Sequence, residues 1–222
     1  MEIEVSFSRL QQILTELIEK KVLPQDSYLA GGTAVYFYLR HRFSLDLDFF
    51  TSKPFSSEVM LFRLREAIKE VDVEIFEKET FIANLTSSKL RFSLFYYPYK
   101  LIFSPNSYEL RPGLLCPMAS LQDIEAMKAV ALVQRGSAKD FVDLYFILTK
   151  THHSFRDLAS LIQRKYSLDE KYNYHLKTAL VYFDEAERDL EAIWLVDEKS
   201  EAKRISEEQW QMIKDFFIRF CQ

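Results

Sequence analysis

Two adjacent glycines and two aspartates are the residues whose types and spacing most readily suggest chemistry. Gly31 and Gly32 are half of the chain's four glycines, and they precede an apolar segment at residues 34–39. Side chains at spacings of three and four in that segment predict a short helix that begins at the glycines. The unpaired N–H groups of such a helix start, with no Cβ in the way, can bind an anion such as phosphate.

Asp46 and Asp48 alternate with Leu45, Leu47 and Phe49, which predicts a β-strand. Both carboxylates then lie on one face, about 7 Å apart along the strand. Because Mg²⁺ prefers one or two carboxylates together with phosphate oxygens, the pair suits a metal–nucleotide site. The alternative is a glycine turn, a buried helix and a strand that carries two solvated aspartates.

A second group of charged residues occurs within residues 122–144. Lys128 and Arg135 are seven residues apart, hence near the same face of a predicted helix. Lys139, Asp140 and Asp143 open the next predicted helix. A lysine can offset the charge that develops on a transferring phosphoryl group. The alternative is ordinary helix charge, with Asp143 as a salt-bridge partner.

The elements that must position these residues change in type along the chain. Strands and helices are mixed up to residue 116, with a short strand predicted at 101–103 and a turn at 105–107. From residue 117 onward the pattern is helical, with Ser120 and Ser206 as predicted caps. Strands followed by helices predict an α+β fold, which we divide into residues 1–116 and 117–222.

Composition limits the class of protein and its location. The 222 residues are 48% hydrophobic and 15% aromatic, which excludes a disordered chain. The net charge of −4 argues against nonspecific nucleic-acid binding over the whole surface, although a local basic cleft is compatible with it. Cys116 and Cys221 fit reduced thiols. No signal peptide and no apolar run of about 20 residues is visible, so we expect a cytoplasmic protein with no membrane partner.

Both charged stretches are similar to motifs of one known family. The first stretch resembles the first motif of the AbiEii/AbiGii toxin family of nucleotidyltransferases, and the second resembles the later motifs of that family. The resemblance covers roughly residues 26 to 150. The matching residues of the first stretch are Gly31-Gly32-Thr33, His41-Arg42, Ser44 and Asp46-Leu47-Asp48-Phe49-Phe50; those of the second are Lys128, Arg135 and Lys139-Asp140 with Asp143-Leu144.

The resemblance implies a nucleotidyltransferase-type fold and a reaction. A small mixed sheet would carry the carboxylates, and an all-helical C-terminal region would complete the nucleotide cleft. The enzyme would move a nucleoside monophosphate from a nucleoside triphosphate (NTP) to a tRNA 3′ end or a protein, as a toxin neutralised by a cognate antitoxin or as part of phage defence. The implied catalytic residues are Asp46, Asp48, Lys128 and Asp140, the implied Mg²⁺ ligands are Asp46 and Asp48, and the implied nucleotide-binding residues are Gly31, Gly32, Thr33, Ser44, Lys128 and Arg135.

One departure from related enzymes leaves alternatives open. Many nucleotidyltransferases add a third carboxylate from a neighbouring strand, whereas the strand at residues 89–97 offers Arg91, Ser93 and Phe95 on that face. Glu74 is a possible substitute, or simply a solvated strand residue. The first alternative function is therefore a catalytically weak binding or regulatory module. The second is a nucleotidyltransferase that modifies a small molecule, as antibiotic-modifying enzymes do.

Overall fold

The computed structural model describes residues 2–86, 88–197 and 201–222. The chain forms two compact units, each built from several segments. The first comprises the chain up to Ala34 together with Ser44–Lys100 and Ser104–Ala119. The second comprises Val35–Phe43, Leu101–Phe103 and Ser120–Gln222.

The first unit is organised by one mixed sheet of seven strands in the described chain. The strand order is β3-β4-β5-β2-β1-β7-β6. The pairs β2–β5 and β1–β7 are parallel, and the other neighbours are antiparallel. The strands are β1 (Tyr28–Leu29), β2 (Asp46–Thr51), β3 (Val71–Phe76), β4 (Thr80–Leu85), β5 (Leu90–Tyr96), β6 (Asn106–Arg111) and β7 (Leu114–Met118).

Helices pack against this sheet and bury its apolar residues. Helix α1 (Glu2–Glu19) contacts β6 and β7, and α3 (Ser57–Ala67) contacts β3 and β4. Helix α2 (Gly31–Leu39) begins two residues after β1. On β2, Leu47 and Phe49 are fully buried, so Asp46 and Asp48 lie on the opposite face of the strand.

The second unit is built mainly from helices around its own apolar core. Phe141 lies at the centre of an aromatic cluster, with ring centroids 5.1 Å from Phe183, 5.8 Å from Trp210 and 5.4 Å from Phe217. Ser120 caps α4 and Ser206 caps α9, as the sequence predicts. The helices are α4 (Leu121–Arg135), α5 (Ala138–Thr151), α6 (Phe155–Tyr166), α7 (Tyr172–Leu180), α8 (Asp184–Glu187) and α9 (Glu207–Phe220).

A short β-ribbon in the second unit holds residues 41–43. Strand β8 (Trp194–Val196) pairs with β9 (Ala202–Arg204), and the sequence analysis did not predict either. Val196 N donates to His41 O at 3.0 Å, and Phe43 N donates to Trp194 O at 2.8 Å. The backbone of His41 and Arg42 is therefore fixed along the edge of this ribbon.

The α+β class is confirmed, whereas two local predictions are wrong. Residues 101–103 form no strand, because Ile102 N and Phe103 N donate to the Asp123 carboxylate at 2.8 and 3.1 Å. The turn predicted at 105–107 ends early, since β6 begins at Asn106. The predicted division after residue 116 falls within β7 and stays a prediction. Among the described residues, no helix has both the length and the apolar character needed to cross a bilayer.

Candidate active site

Asp46 and Asp48 lie side by side on one face of β2, in the middle of the sheet. Both residues are partly exposed, whereas Leu47 and Phe49 between and beyond them are buried. Strand β1 flanks β2 on one side and β5 flanks it on the other. The predicted strand and the shared face of the two carboxylates are therefore present in the first unit.

Gly31 makes a close approach to Asp48 that no other residue type allows. Its φ is +68°, and a Cβ built on it would lie 2.5 Å from Asp48 Oδ2. The preceding amide, Ala30 N, donates to Asp48 O at 3.0 Å. The first turn of α2 therefore begins directly beside the second carboxylate, in a backbone conformation that glycine adopts without strain.

Substitution of Gly31 by alanine is expected to reduce any activity that depends on the Asp46 and Asp48 carboxylates roughly 10- to 100-fold, because the new Cβ displaces the Asp48 carboxylate. Gly113→Ala is the matched control, since Gly113 has φ +80° and no atom within 4 Å of an added Cβ. Both variants pay a left-handed backbone penalty of about 1 kcal/mol, but Gly113→Ala should keep full activity. Equal activity losses in the two variants would attribute the effect of Gly31→Ala to backbone strain alone.

Thr33 and Ser44 support the start of β2. The Thr33 side chain is fully buried, and its Oγ1 donates to Asp46 O at 2.6 Å. Ser44 Oγ lies 3.3 Å from the same Thr33 oxygen. These contacts fix the backbone at Asp46, and nucleotide binding by Thr33 and Ser44 stays a prediction. Gly32 lies in the first turn of α2 beside them.

Strand β5 places an arginine beside the carboxylates. Arg91 is in register with Asp46, and Ser93 is in register with Asp48. Arg91 Nε and Nη2 donate to the two Glu74 oxygens at 3.1 and 2.9 Å. The hydrogen bonds to Glu74, with smaller contributions from the charges of Glu74, Asp46 and Asp48, raise the pKa of Arg91. Glu74 is thus paired with Arg91.

The residues around Asp48 fit a bound cation with its phosphate ligand. The neighbouring Ser93 Oγ is buried without a hydrogen-bond partner among the described residues. On the other side of Asp48, Gly31 has no Cβ, and the position that a Cβ would occupy lies 2.5 Å from Asp48 Oδ2. The described part of the chain contains no group of three or more His, Cys, Asp or Glu residues placed to hold a metal ion. Two carboxylates completed by phosphate oxygens and water are a common arrangement for Mg²⁺.

In the second unit, Asp143 is the centre of a buried charge network. Its Oδ1 accepts from His41 Nε2 and Arg42 Nε, both at 2.6 Å. Its Oδ2 accepts from Arg42 Nη2 at 2.8 Å and lies 2.7 Å from Lys128 Nζ. Burial alone would raise the pKa of Asp143, but Arg42 and Lys128 hold it well below its ordinary value. Asp143 is therefore ionised, with all of its acceptor sites occupied.

Asp140 forms the second half of this network. Arg135 binds its carboxylate with Nε and Nη2, at 2.7 and 3.0 Å. Lys128 Nζ and Ser137 Oγ donate to it at 3.1 and 2.8 Å. Burial would raise the pKa of Asp140, but Lys128 and Arg135 outweigh burial and lower this pKa to about 2. A carboxylate held in this way is a poor proton acceptor at neutral pH.

The network joins three cations, Lys128, Arg42 and Arg135, to the two anions Asp140 and Asp143. Burial lowers the pKa of His41, which is therefore the neutral member and donates its Nε2 proton to Asp143. Lys139, which the sequence analysis grouped with them, is exposed in the first turn of α5.

The comparisons with known proteins show the family to which the chain belongs. The family model for the nucleotidyl transferase AbiEii toxin, of a type IV toxin–antitoxin system, matches residues 12–220. The chain belongs to this family. It is also 36% identical over 217 residues to an uncharacterized protein of Aquifex aeolicus (strain VF5), covering 95% of each chain. The predicted family is confirmed, and this AbiEii protein is a nucleotidyltransferase.

Two solved structures share the fold of this AbiEii protein. JHP933 from Helicobacter pylori is 17% identical, with a TM-score of 0.56 over 100% of this chain and 92% of that chain. MenT4, a nucleotidyltransferase toxin of Mycobacterium tuberculosis H37Rv, is 15% identical, with a TM-score of 0.55 over 98% and 82% of the two chains. At these identities the likeness shows the fold alone, and it confirms the predicted nucleotidyltransferase-type fold.

The predicted site residues of this nucleotidyltransferase fall into two groups. The structure brings Gly31, Gly32, Thr33, Ser44, Asp46 and Asp48 together in the first unit, and Lys128, Arg135 and Asp140 together in the second. His41 and Arg42, which belong to the first family motif, are both bound to Asp143. The sequence places Arg91 on the face where related enzymes carry a third carboxylate, but it indicates no role for Arg91. The register of Arg91 with Asp46 follows from the parallel pairing of β2 with β5, which no local pattern reveals.

Substitution of Asp140 by asparagine is expected to change the acid stability of the enzyme. The folded pKa of about 2 lies below the ordinary value of 3.8, so the folded state binds this proton less readily. The stabilisation, about 2 kcal/mol, is present above pH 4 and is lost as the pH falls toward 2. The difference in unfolding free energy between wild type and Asp140→Asn should therefore shrink over this range. A constant difference from pH 6 to pH 2 in urea titrations would contradict the assignment.

Proposed function

We propose that this AbiEii-family enzyme transfers a nucleoside monophosphate from an NTP to an acceptor hydroxyl, using Mg²⁺ held by Asp46 and Asp48. The observation that supports this most directly is the approach of Gly31 to Asp48. It joins a helix start that attracts phosphate to a pair of carboxylates that attract a cation. The amides of Gly31 and Gly32 bind the phosphates, and Thr33 and Ser44 fix the strand that carries Asp46.

The transfer is a single displacement at phosphorus. The acceptor hydroxyl loses its proton to solvent as its oxygen forms a bond to the α-phosphorus. The bond from that phosphorus to the bridging oxygen breaks, and pyrophosphate leaves with the electron pair of that bond. When bound, Mg²⁺ offsets negative charge on the phosphate oxygens. The contribution of Asp46 and Asp48 is to fix the metal and the phosphates in one orientation, which is most of what such a reaction requires.

The charge network of the second unit is assigned a supporting role. The family motif favours Lys128 as a phosphate contact, with Arg135 aiding it through Asp140, which both residues bind. Asp140 acts as an orienting group, because its low pKa makes it unsuited to remove the acceptor proton. The proposed function includes a cognate antitoxin that neutralises the enzyme in the cytoplasm, since the family model describes the toxin of a toxin–antitoxin system.

The acceptor is proposed to be an RNA, such as a tRNA 3′ end, or a protein side chain. The test incubates the purified protein with each of the four NTPs, labelled at the α-phosphate, together with Mg²⁺ and total cellular RNA and protein. Label in one of the two fractions names the nucleotide and the acceptor class together. The same incubation with Asp46→Asn/Asp48→Asn should give none. Absence of label with all four NTPs, from a folded protein, would refute transfer to either acceptor.

A further inference from the structure

The face of β5 beside the two carboxylates presents a cation and a series of aromatic rings. Arg91 lies in register with Asp46, Ser93 with Asp48, and Phe95 with Phe50. Paired residues of neighbouring strands share one face of a sheet, so this row lies on the same face as the carboxylates. All of these residues belong to the first unit.

Arg91 is held in a fixed orientation with part of its guanidinium available. Glu74 binds Nε and Nη2, and the Arg91 side chain remains 39% exposed. Among the contacts of the described residues, none is made by Nη1. A guanidinium already oriented through one edge can bind a phosphate oxygen through the other at little further entropic cost.

The aromatic rings continue along the same face beyond Ser93. The ring of Phe50 lies 5.3 Å from that of Phe95 and 5.3 Å from that of Tyr97. Tyr99 lies 5.0 Å from Tyr97, edge to face, and is 42% exposed. Phe50, Phe95 and Tyr97 are all partly exposed. Partly exposed aromatics beside a cation are the combination that binds single-stranded nucleic acid, because every base has a face that can stack.

The two sides of β2 differ in what they offer to a ligand. On the β1 side, Gly31 and the start of α2 lie against Asp48 and suit the phosphates of an NTP. On the β5 side, Arg91 and the aromatic rings border the same carboxylates. The second reactant therefore has a surface of its own, and its chemistry matches a chain of phosphates and bases better than a protein side chain.

We propose that Arg91, Phe95, Tyr97 and Tyr99, here called the β5 surface, bind the single-stranded 3′ end of an RNA acceptor. Arg91 contacts a phosphodiester close to the attacking hydroxyl, and the aromatic rings stack on neighbouring bases. This inference rests on the proposed function, and it selects RNA from the two acceptor classes named there. Arg91 is thereby a positioning residue for the acceptor, separate from the NTP site.

The test measures binding without turnover. An eight-nucleotide single-stranded RNA with a 5′ fluorophore is titrated with wild type, Arg91→Gln and Tyr99→Ala, and NTP binding is measured in parallel. Each variant should weaken RNA binding about tenfold and leave NTP binding unchanged. Arg91→Gln should also make the slope of log affinity against log salt concentration shallower by about one, the change expected for one lost phosphate contact. Lys78→Gln removes an exposed cation from the β3–β4 turn and should change neither binding constant.

A second RNA locates the contact. It carries an uncharged methylphosphonate in place of its last phosphodiester, and wild type should bind it about as weakly as Arg91→Gln binds the normal RNA. The methylphosphonate and Arg91→Gln together should weaken RNA binding little more than either change alone. Additive losses, or a loss of NTP binding in Arg91→Gln, would overturn the assignment of Arg91 to the acceptor.

The outcomes separate this inference from the proposed function. If wild type labels RNA but Arg91→Gln and Tyr99→Ala bind and label it normally, the assignment of RNA binding to the β5 surface is wrong and the proposed function stands. If wild type neither binds nor labels RNA and labels protein instead, both the β5 surface and the RNA acceptor are wrong. If no acceptor is labelled and the RNA is not bound, the proposed function fails as well.

Discussion

Asp46→Asn and Asp48→Asn are each expected to reduce nucleotidyl transfer on the order of 10³-fold, while the fold is retained. Asparagine keeps the size of the side chain and removes the charge that holds a cation. Both residues are partly exposed on their strand, and the apolar contacts of β2 are made by Leu47 and Phe49 on the other face. Stability should therefore change by less than about 0.5 kcal/mol.

The measurement combines transfer rates with metal binding by calorimetry. Asp72→Asn is the matched control, because Asp72 is an exposed aspartate on β3 of the same sheet. It should alter neither quantity, whereas the two site variants should lose both. Wild-type activity in Asp46→Asn and in Asp48→Asn would show that the chemistry lies elsewhere in the chain.

Asp143→Ala is expected to lower the free energy of unfolding by about 3–5 kcal/mol, the cost of leaving a buried charge without its partner. The side chain is fully buried, and it alone pairs with Arg42, Lys128 and His41 together. Its loss removes the carboxylate shared by the buried cations Arg42 and Lys128, of which Lys128 keeps Asp140 as a partner. For a chain of this length the melting temperature should fall by roughly 6–20 °C.

Urea or thermal unfolding checks this result against Glu170→Ala. Glu170 is an exposed acid of the same unit, and its removal should change stability by less than about 0.5 kcal/mol. The double variant Arg42→Met/Asp143→Ala should recover part of the loss, because it also removes one of the stranded charges. A double variant less stable than Asp143→Ala would indicate that lost packing, rather than unpaired charge, dominates the cost.

Local sequence patterns were sufficient for the first unit's central features. Alternation predicted β2 and its carboxylate face, because burial of Leu47 and Phe49 requires Asp46 and Asp48 on the other side. Strand β6 was missed, since its sequence, Asn106-Ser-Tyr-Glu-Leu-Arg111, carries few apolar residues and lies at the sheet edge. Pro105 then favoured a turn at a position where a strand begins.

The charge network was only partly accessible from the sequence. Family motifs indicated that Lys128, Arg135, Asp140 and Asp143 matter, but not which of them pair. The decisive partner of Asp143 is Arg42, 101 residues earlier, and no local pattern links residues at that distance. The same holds for Lys165 and Asp123, a buried pair 42 residues apart. Such contacts follow from the tertiary fold.

The second unit is assembled from three separate segments of the chain, so it cannot fold until all three have been synthesised. Residues 35–43 and 101–103 emerge from the ribosome well before residues 120–222, with which they pack. A nascent chain that ends at Ala119 contains Arg42 but not Asp143, and the amides of Ile102 and Phe103 but not Asp123. The second unit can therefore close only after Asp123 and Asp143 have been synthesised, and a chain that stops before them cannot form these contacts.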